Sequence, residues 1–551
     1  MLLDFDAYLA KHKCIRKELP SSNGTRRFEL KLEKMIPERK FDFAILEIPS
    51  DFANSEVAKI RLPKNCALNI PHVESDGLLC IGGDPGPSSG ASLIPRLYLL
   101  LDSFYYKFYY PWLNGDLDAD FEKEAMNYWS LHCNNILTSL QPIKKIYTVD
   151  NRTGSPVIYK STFFDNDKIV IAGKDSKLRE RYIASLGKGD TVRNVLVAEV
   201  PISYPFTPIN YPKHEDDIYR LLKSRKEFDN NRDFKKLKVN THRKNHRIVI
   251  FKAPGCSFGY LLPGGPPVTK TKNRSTQSTS NNKLIPLKVE RLDLSWITGR
   301  DQLPEHIPRQ NTHVLVIGVG ALGSPVVEQL AKSGVGKISI VDYDNFNAAN
   351  MSRHSLGADS IGISKVKALS TLVNIRSPSC SVIPYNQSIR SWLDKYSLDD
   401  IDVIIDLTGE PEVRLLIDNQ RRYFMKPFLI SWMEPYVTAA HACLLPIGSF
   451  WLEGADRLES LQAVEWPDNV YQREPSCSSQ FQSYTSSAAL YSVGLTTEAA
   501  LDLIDGNIDK PIVRHWIRGK DFLDEFHPEL KHRDWATVES GQKGMMIERE
   551  L

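Results

Sequence analysis

Long apolar runs, paired cysteines and an excess of one charge are all missing from this chain of 551 residues. No apolar stretch approaches the ~18 residues of a membrane-spanning helix. The opening segment meets Lys11, Lys13, Arg16 and Lys17 without the apolar core of a secretory signal. No membrane partner is expected, and a cytoplasmic location is the default. The eight cysteines form neither a CxxC pair nor a Cys/His array. That speaks against structural zinc and against a disulfide framework, while leaving individual reactive thiols open. Lys and Arg total 70 against 67 Asp and Glu, a net charge of +3, too small to imply nucleic acid. Basic residues do gather between Arg220 and Arg247, but a solvated face accounts for them. No direct nucleic-acid partner is predicted.

With 42% hydrophobic residues, a chain of this length supports two to four domains. Residues 1–145 show strand-like alternation at Phe28, Leu30 and Leu32 and again at Phe41, Phe43 and Ile45. A Pro/Gly-rich stretch follows, and Phe121, Ala125, Trp129 and Cys133 recur at helical spacing, giving a small α+β domain. Residues 146–308 carry less chemical signal and read as a linker domain, with a flexible loop near 269–283 rich in Thr, Ser, Asn and Lys. Residues 309–551 read as an α/β unit. Val314 to Ile317 is a buried-strand pattern, Val326 to Ala331 a helix, Ile338 to Val341 a second strand and Ile401 to Ile405 a further one. The fold class is therefore multidomain, α/β together with α+β.

Between the first strand and helix of the α/β unit lies Gly318-Val319-Gly320-Ala321-Leu322-Gly323. Gly318 permits a tight turn, Gly320 lets a phosphate approach the backbone, and Gly323 allows the helix to pack closely on the strand. The helix amino end then favours an anion. Asp342, nineteen residues after Gly323, is placed to accept from a ribose hydroxyl. That much fits NAD and a hydride-transfer enzyme as well as ATP. Arg353 and Lys365 favour ATP, because a triphosphate needs cations along its length.

The run Val341-Asp342-Tyr343-Asp344, then Asn350-Met351-Ser352-Arg353-His354 and Gly362-Ile363-Ser364-Lys365, resembles the Rossmann-like adenylation domain shared by ThiF, MoeB and ubiquitin-activating enzymes. The resemblance implies that Asp342 holds the ribose and that Asn350, Arg353 and Lys365 address the phosphates. It also implies magnesium. Here the chain departs from the pattern: Asp406-Leu407-Thr408-Gly409-Glu410 resembles the usual Asp-x-Thr-Asp-Asn, but Gly409 stands where the magnesium-binding aspartate would be. Asp406 or Glu410 is left to supply the carboxylate.

Two cysteines stand out. Cys477 lies in the polar run Glu474 to Ser479 before an apolar helical pattern, a setting that exposes a thiol and favours its thiolate. In the resembling adenylation family a catalytic cysteine occurs in this crossover region. Cys80, beside Leu78, Leu79 and Ile81, would taken alone more often be a buried core thiol. The stretch His72 to Gly82 resembles part of the active-site stretch of ubiquitin-conjugating enzymes, with Val73-Glu74 in place of Pro-Asn; His72 then reads as structural rather than as a general base.

The order of a conjugating-like domain, a linker region and an adenylation domain resembles the ubiquitin-transferase-like proteins of bacterial cyclic-oligonucleotide antiphage systems (CBASS). That resemblance implies ATP-dependent activation of the carboxyl terminus of a companion cyclic-nucleotide synthase. A thioester on Cys477, transfer to Cys80 and conjugation to a target protein amine would follow. It also implies a homodimer and a companion deconjugating protease. Two other readings remain open: an adenylyltransferase for a sulfur-carrier protein, which needs no Cys80, and a nucleotide-sensing interaction protein without conjugation activity.

Overall fold

After a helix over Leu2–Lys11, an Asn-Gly pair makes the first strand connection. Asn23 and Gly24 both take positive φ, 47° and 74°, the geometry of a two-residue turn whose twist matches that of its flanking strands. The turn joins β1 (Ile15–Ser22) to β2 (Thr25–Leu30); β3 (Ile45–Ile48) and β4 (Lys59–Arg61) complete an antiparallel sheet in sequential order. Phe28 and Leu30 face the core. The alternation expected at Phe41 and Phe43 precedes the strand, which begins at Ile45. Phe41 is buried and packs on Tyr109 and Trp112, whereas Phe43 is exposed.

The computed structural model describes all residues except 1, 34, 137–141, 151–154, 188–191, 224–236, 238–245, 263–283, 453–455, 474–479 and 482–483. The loop read near 269–283 and most of the basic run after Arg220 thus lie outside the described residues. Two units emerge, one of Met1–Tyr147, Arg152–Ala172 and Asp190–Glu290, the other of Thr148–Asn151, Gly173–Gly189 and Arg291–Leu551.

In the first unit the strands lead through a loop to helix α1 (Leu93–Asp102), a π-helical stretch at Ser103–Tyr109 and helix α2 (Ala125–Ile136). Arg96 of α1 is buried and anchors that loop. Its guanidinium meets Asp84 at 2.7 Å and donates to the carbonyls of Phe52 and Glu56. The Asp84 carboxylate also accepts from the amides of Ala58 and Gly86, so the buried pair is satisfied on both sides. The segment read as a linker contains a closed barrel of β5 (Lys145–Thr148), β6 (Val157–Phe164), β7 (Ile169–Ala172), β8 (Val192–Pro201), β9 (Arg247–Ala253), β10 (Cys256–Leu262) and β11 (Ile285–Arg291). Adjacent residues of β9 feed different cores: Ile248 and Ile250 one, Val249 and Phe251 the other. Closure removes free sheet edges.

The second unit is built on one sheet. Strands β12 (His313–Ile317), β13 (Lys337–Val341), β14 (Ser381–Tyr385), β15 (Val403–Asp406) and β16 (Phe428–Met433) run parallel in the order β14-β13-β12-β15-β16. Antiparallel β17 (Ala439–Leu445), β18 (Ile512–Arg518) and β19 (Gly544–Glu550) extend it. Val314 and Val316 enter one core with α3 (Gly323–Lys332), α4 (Lys365–Arg376) and α6 (Ser486–Ile504); Leu315 and Ile317 enter another with Ile417 of α5 (Pro411–Phe424). Burial on both faces explains the unbroken apolar run at 314–317. Because β13 and β15 flank β12 on opposite sides, a crevice opens beyond their carboxyl ends, where ligands bind in open parallel sheets.

Arg96→Met would leave Asp84 charged and buried without its partner. A loss of about 3–5 kcal/mol in urea unfolding is expected; an unchanged midpoint would show that the pair does not hold the loop.

Candidate active site

The crevice is floored by the glycine loop. Gly318 turns with φ 81°, and its amide donates to Val341 O at 2.9 Å. A Cβ on Gly323 would fall 2.0 Å from the Gly318 carbonyl oxygen, whereas one on Gly320 would meet nothing within 4 Å. Two of the three expected glycine roles are therefore steric, and Gly320 leaves open space above the loop. The Asp342 carboxylate accepts from Val319 N and Asp344 N, both at 2.9 Å, and so fixes the loop as well as facing the crevice.

Two cavities meet at this loop, and Gly320, Leu407 and Thr408 line both. The first, about 390 Å³, is lined by Gly318, Asp342, Asp344, Lys365, Arg390 and Glu410. Lys365 is buried at the start of α4, with Nζ 2.6 Å from Asp344. The Glu410 carboxyl is raised above its ordinary value by burial and then by Glu412, Asp344 and Asp342. The second cavity, about 570 Å³, holds Arg353, Asp406, Trp432, Met433, Trp466 and Tyr484. Arg353 lies over the Tyr484 ring, 5.2 Å from its centroid.

The residues expected to address phosphate are thus divided. Lys365 lines the first cavity and Arg353 the second, while Asn350 lines neither; its side chain accepts from Asn347 N at 3.1 Å in a capping box. The two carboxylates considered for magnesium are divided as well. Asp406 is buried and accepts from the amide and hydroxyl of Thr408, at 3.0 and 2.7 Å, and burial pushes it up to about 6. Glu410 belongs to the acidic wall of the other cavity. No cluster of three His, Cys, Asp or Glu groups forms a closed metal cage among the described residues. Magnesium does not need one, since it is held by one or two carboxylates plus substrate phosphates. The carboxylate oxygens of Glu410, Asp342 and Asp344 on one wall are hard donors that suit that cation.

Some residues of the site escape a motif reading. His354 is one: its Nδ1 accepts from Leu356 N at 3.1 Å, so the proton sits on Nε2 and is donated to Val319 O at 2.7 Å. The ring clamps the loop in its neutral form, and burial takes its pKa down to about 4. Its place after Arg353 was the available signal. Glu434, lining the second cavity, accepts from His441 Nε2 at 2.9 Å and from the amides of Ala463 and Val464. His441 Nδ1 lies 2.7 Å from His515 Nδ1, and burial lowers His515 to about 3. Residues 434, 441 and 515 are too scattered in sequence to be paired by spacing.

In the first unit, Cys80 is exposed and its amide donates to His72 O at 2.8 Å. Among the described cysteines the others are buried or half-buried, and burial pushes Cys66 up to about 11 and Cys133 and Cys380 to about 12. The core-thiol reading of Cys80 therefore fails: Leu79 turns inward and the cysteine outward. His72 has a positive φ of 62°, and its ring is held by Asp120 at 3.1 Å and Glu124 at 3.2 Å. Cys477 lies outside the described residues.

A loop bounded by steric glycines, an acidic residue at the next strand end and cations in two joined cavities make up the candidate site. Residues 306–434 match the model of the ThiF family. The chain is an ATP-dependent enzyme of the adenylation and thioester-transfer class typical of ThiF-like proteins. Over 485 residues it is 21% identical to the ATP-dependent ubiquitin transferase-like protein Cap2 of Pseudomonas aeruginosa, covering 83% of this chain and 84% of that one. It is 26% identical over 161 residues to the adenylyltransferase and sulfurtransferase MOCS3 of Aedes aegypti, covering 29% of this chain and 37% of the relative. A solved structure of MccB from E. coli with succinimide aligns at 15% identity and a TM-score of 0.31, over 43% of this chain and 67% of that one. No helix among the described residues is long and apolar enough to cross a membrane.

His354 supplies a pH test. Its folded pKa of about 4 lies below the unfolded value of 6.5, so the unfolded chain takes up the proton first and stability is lost as pH falls from 6.5 towards 4. Between about pH 7 and pH 5 the stability advantage of wild type over His354→Ala should shrink by about 1–2 kcal/mol. An advantage that does not change with pH would contradict the neutral clamp.

Proposed function

We propose that the chain activates the carboxyl terminus of a protein with ATP and passes it through thioesters on Cys477 and Cys80 to a target amine. The observation that carries this reading is the junction of two cavities at Gly320 and Thr408. One offers Asp342 and Lys365 to a nucleotide; the other offers Arg353 and an apolar wall to a second reactant. Rossmann-like topology supports the first assignment, since β12 and its neighbours aim their carboxyl ends at the crevice.

A terminal carboxylate oxygen attacks the α-phosphorus, the bond to the bridging oxygen breaks and pyrophosphate leaves. Asp342 orients the ribose, Lys365 exchanges Asp344 for phosphate oxygens, and Arg353 offsets charge at the reacting end. Glu410, with Asp342 and Asp344 beside it, would hold magnesium, with Asp406 the alternative; the ion neutralises phosphate charge when bound. The Cys477 thiolate then attacks the acyl carbon and AMP departs. Exchange onto Cys80 and attack by an amine release both thiols and form an amide. The exposure of Cys80 and the α+β sheet before it support a conjugating role for residues 1–145. Residues 146–308 would link that domain to an adenylation domain at 309–551.

Similarity to Cap2 along most of the chain supports a CBASS-type partner system, with the companion cyclic-nucleotide synthase as the activated protein. A homodimer and a deconjugating protease complete the proposed system, with no nucleic-acid partner.

ATP–pyrophosphate exchange that requires a candidate carboxylate protein tests the proposal. Arg353→Ala should slow exchange about tenfold or more, the equivalent of ~1.5–3 kcal/mol for one charge-assisted bond, and Cys80→Ala should leave exchange intact while abolishing amide product. Exchange that ignores the protein carboxylate would overturn the reading. Gly409 has φ 73°, and a Cβ added there would meet nothing within 4 Å; aspartate tolerates that region better than most residues. Gly409→Asp should therefore lower the magnesium concentration needed for half-maximal exchange, and an unchanged requirement would place the ion elsewhere.

A further inference from the structure

The second cavity is larger and more aromatic than a carboxylate requires. Besides Arg353 it presents Trp432, Met433, Trp466 and Tyr484 within about 570 Å³. Its other charged groups are already engaged. Arg414 is buried and pairs with Asp456 at 2.7 Å. Glu434 is occupied by His441 and two backbone amides. Asp406 takes both hydrogens offered by Thr408. Among the described residues Arg353 has no carboxylate partner, only the Tyr484 face.

This charge plan has a consequence for the substrate. One uncommitted cation suffices for one terminal carboxylate. The wall of Trp432, Met433 and Trp466 is desolvated favourably by apolar surface, because the other charged groups of the lining are already paired and a further charge would find no partner. Trp432 is braced by His441, ring centroids 4.8 Å apart, and by Trp451 at 6.1 Å, so the wall is preorganised.

Resting on the activation reading above, we propose that this cavity selects protein tails carrying a large apolar side chain, aromatic or branched aliphatic, within the last three residues. The terminal carboxylate lies at Arg353 beside Gly320, and the preceding side chain fills the space between Trp432, Met433 and Trp466. A tail of glycines presents the same carboxylate but leaves the aromatic wall in water. Burying one large side chain improves binding about ten- to a hundredfold.

The test uses the full chain in ATP–pyrophosphate exchange with synthetic heptapeptides that differ only near the end: Ser-Phe-Gly, Ser-Gly-Gly and Ser-Asp-Gly. The phenylalanine tail should show a KM about ten- to a hundredfold below the other two, with a smaller change in kcat. Trp466→Ala should reduce the preference between the first two. Equal KM values, or a preference for the glycine or aspartate tail, would overturn the tail pocket. Because that comparison is made on the wild-type chain, it stands even if the variant fails to fold. Exchange with no peptide and with no candidate protein would overturn the activation reading and the pocket together, whereas exchange without the apolar preference would overturn the pocket alone.

Discussion

Gly323 stands so close to the Gly318 carbonyl that a methyl group in place of its hydrogen would sit 2.0 Å from the oxygen. This contact sets the start of α3 against the end of β12 and leaves the intervening backbone folded over the crevice. The arrangement is then fixed from two further sides. Asp342 takes the Val319 amide and His354 donates to the Val319 carbonyl. Both polar groups of one loop residue are thereby engaged, and Gly320 is left open where the two cavities join. The two cavities therefore open onto one stretch of backbone that is held from both sides.

Around the loop, charges are either committed or available, and the difference organises the chemistry. Asp406 with Thr408, Arg414 with Asp456 and Glu434 with His441 are internal pairings that build walls. Lys365 is paired, but with a half-exposed Asp344, so a phosphate can replace that partner at modest cost. Arg353 rests on an aromatic face. In the first unit the same division separates the thiols: burial keeps Cys66 and Cys133 protonated and inert, while Cys80 is open to solvent.

The parallel sheet and its loop were legible because they depend on local, periodic features: an apolar run at 314–317, glycines at fixed offsets and an acid at the next strand end. The barrel across 145–291 was not, since its closure joins strands far apart in sequence and its residues alternate between two cores without a motif. Spacing also grouped Arg353 with Lys365, and only the fold divides them between two cavities. Glu434, His441 and His515 meet through sheet pairing, a non-local event. Gly409 was visible as a departure from the family pattern, and its left-handed backbone gives a physical reason for glycine there.

Two thiols acting in sequence on an activated carboxyl group are the central claim. Intact-protein and peptide mass spectrometry of the full chain incubated with ATP, magnesium and a candidate carboxylate protein reads it directly. Adducts on Cys477 and Cys80 that reductant removes, with the Cys80 adduct absent in Cys477→Ala, are the predicted result. A stable adduct that forms in the absence of both cysteines would contradict it.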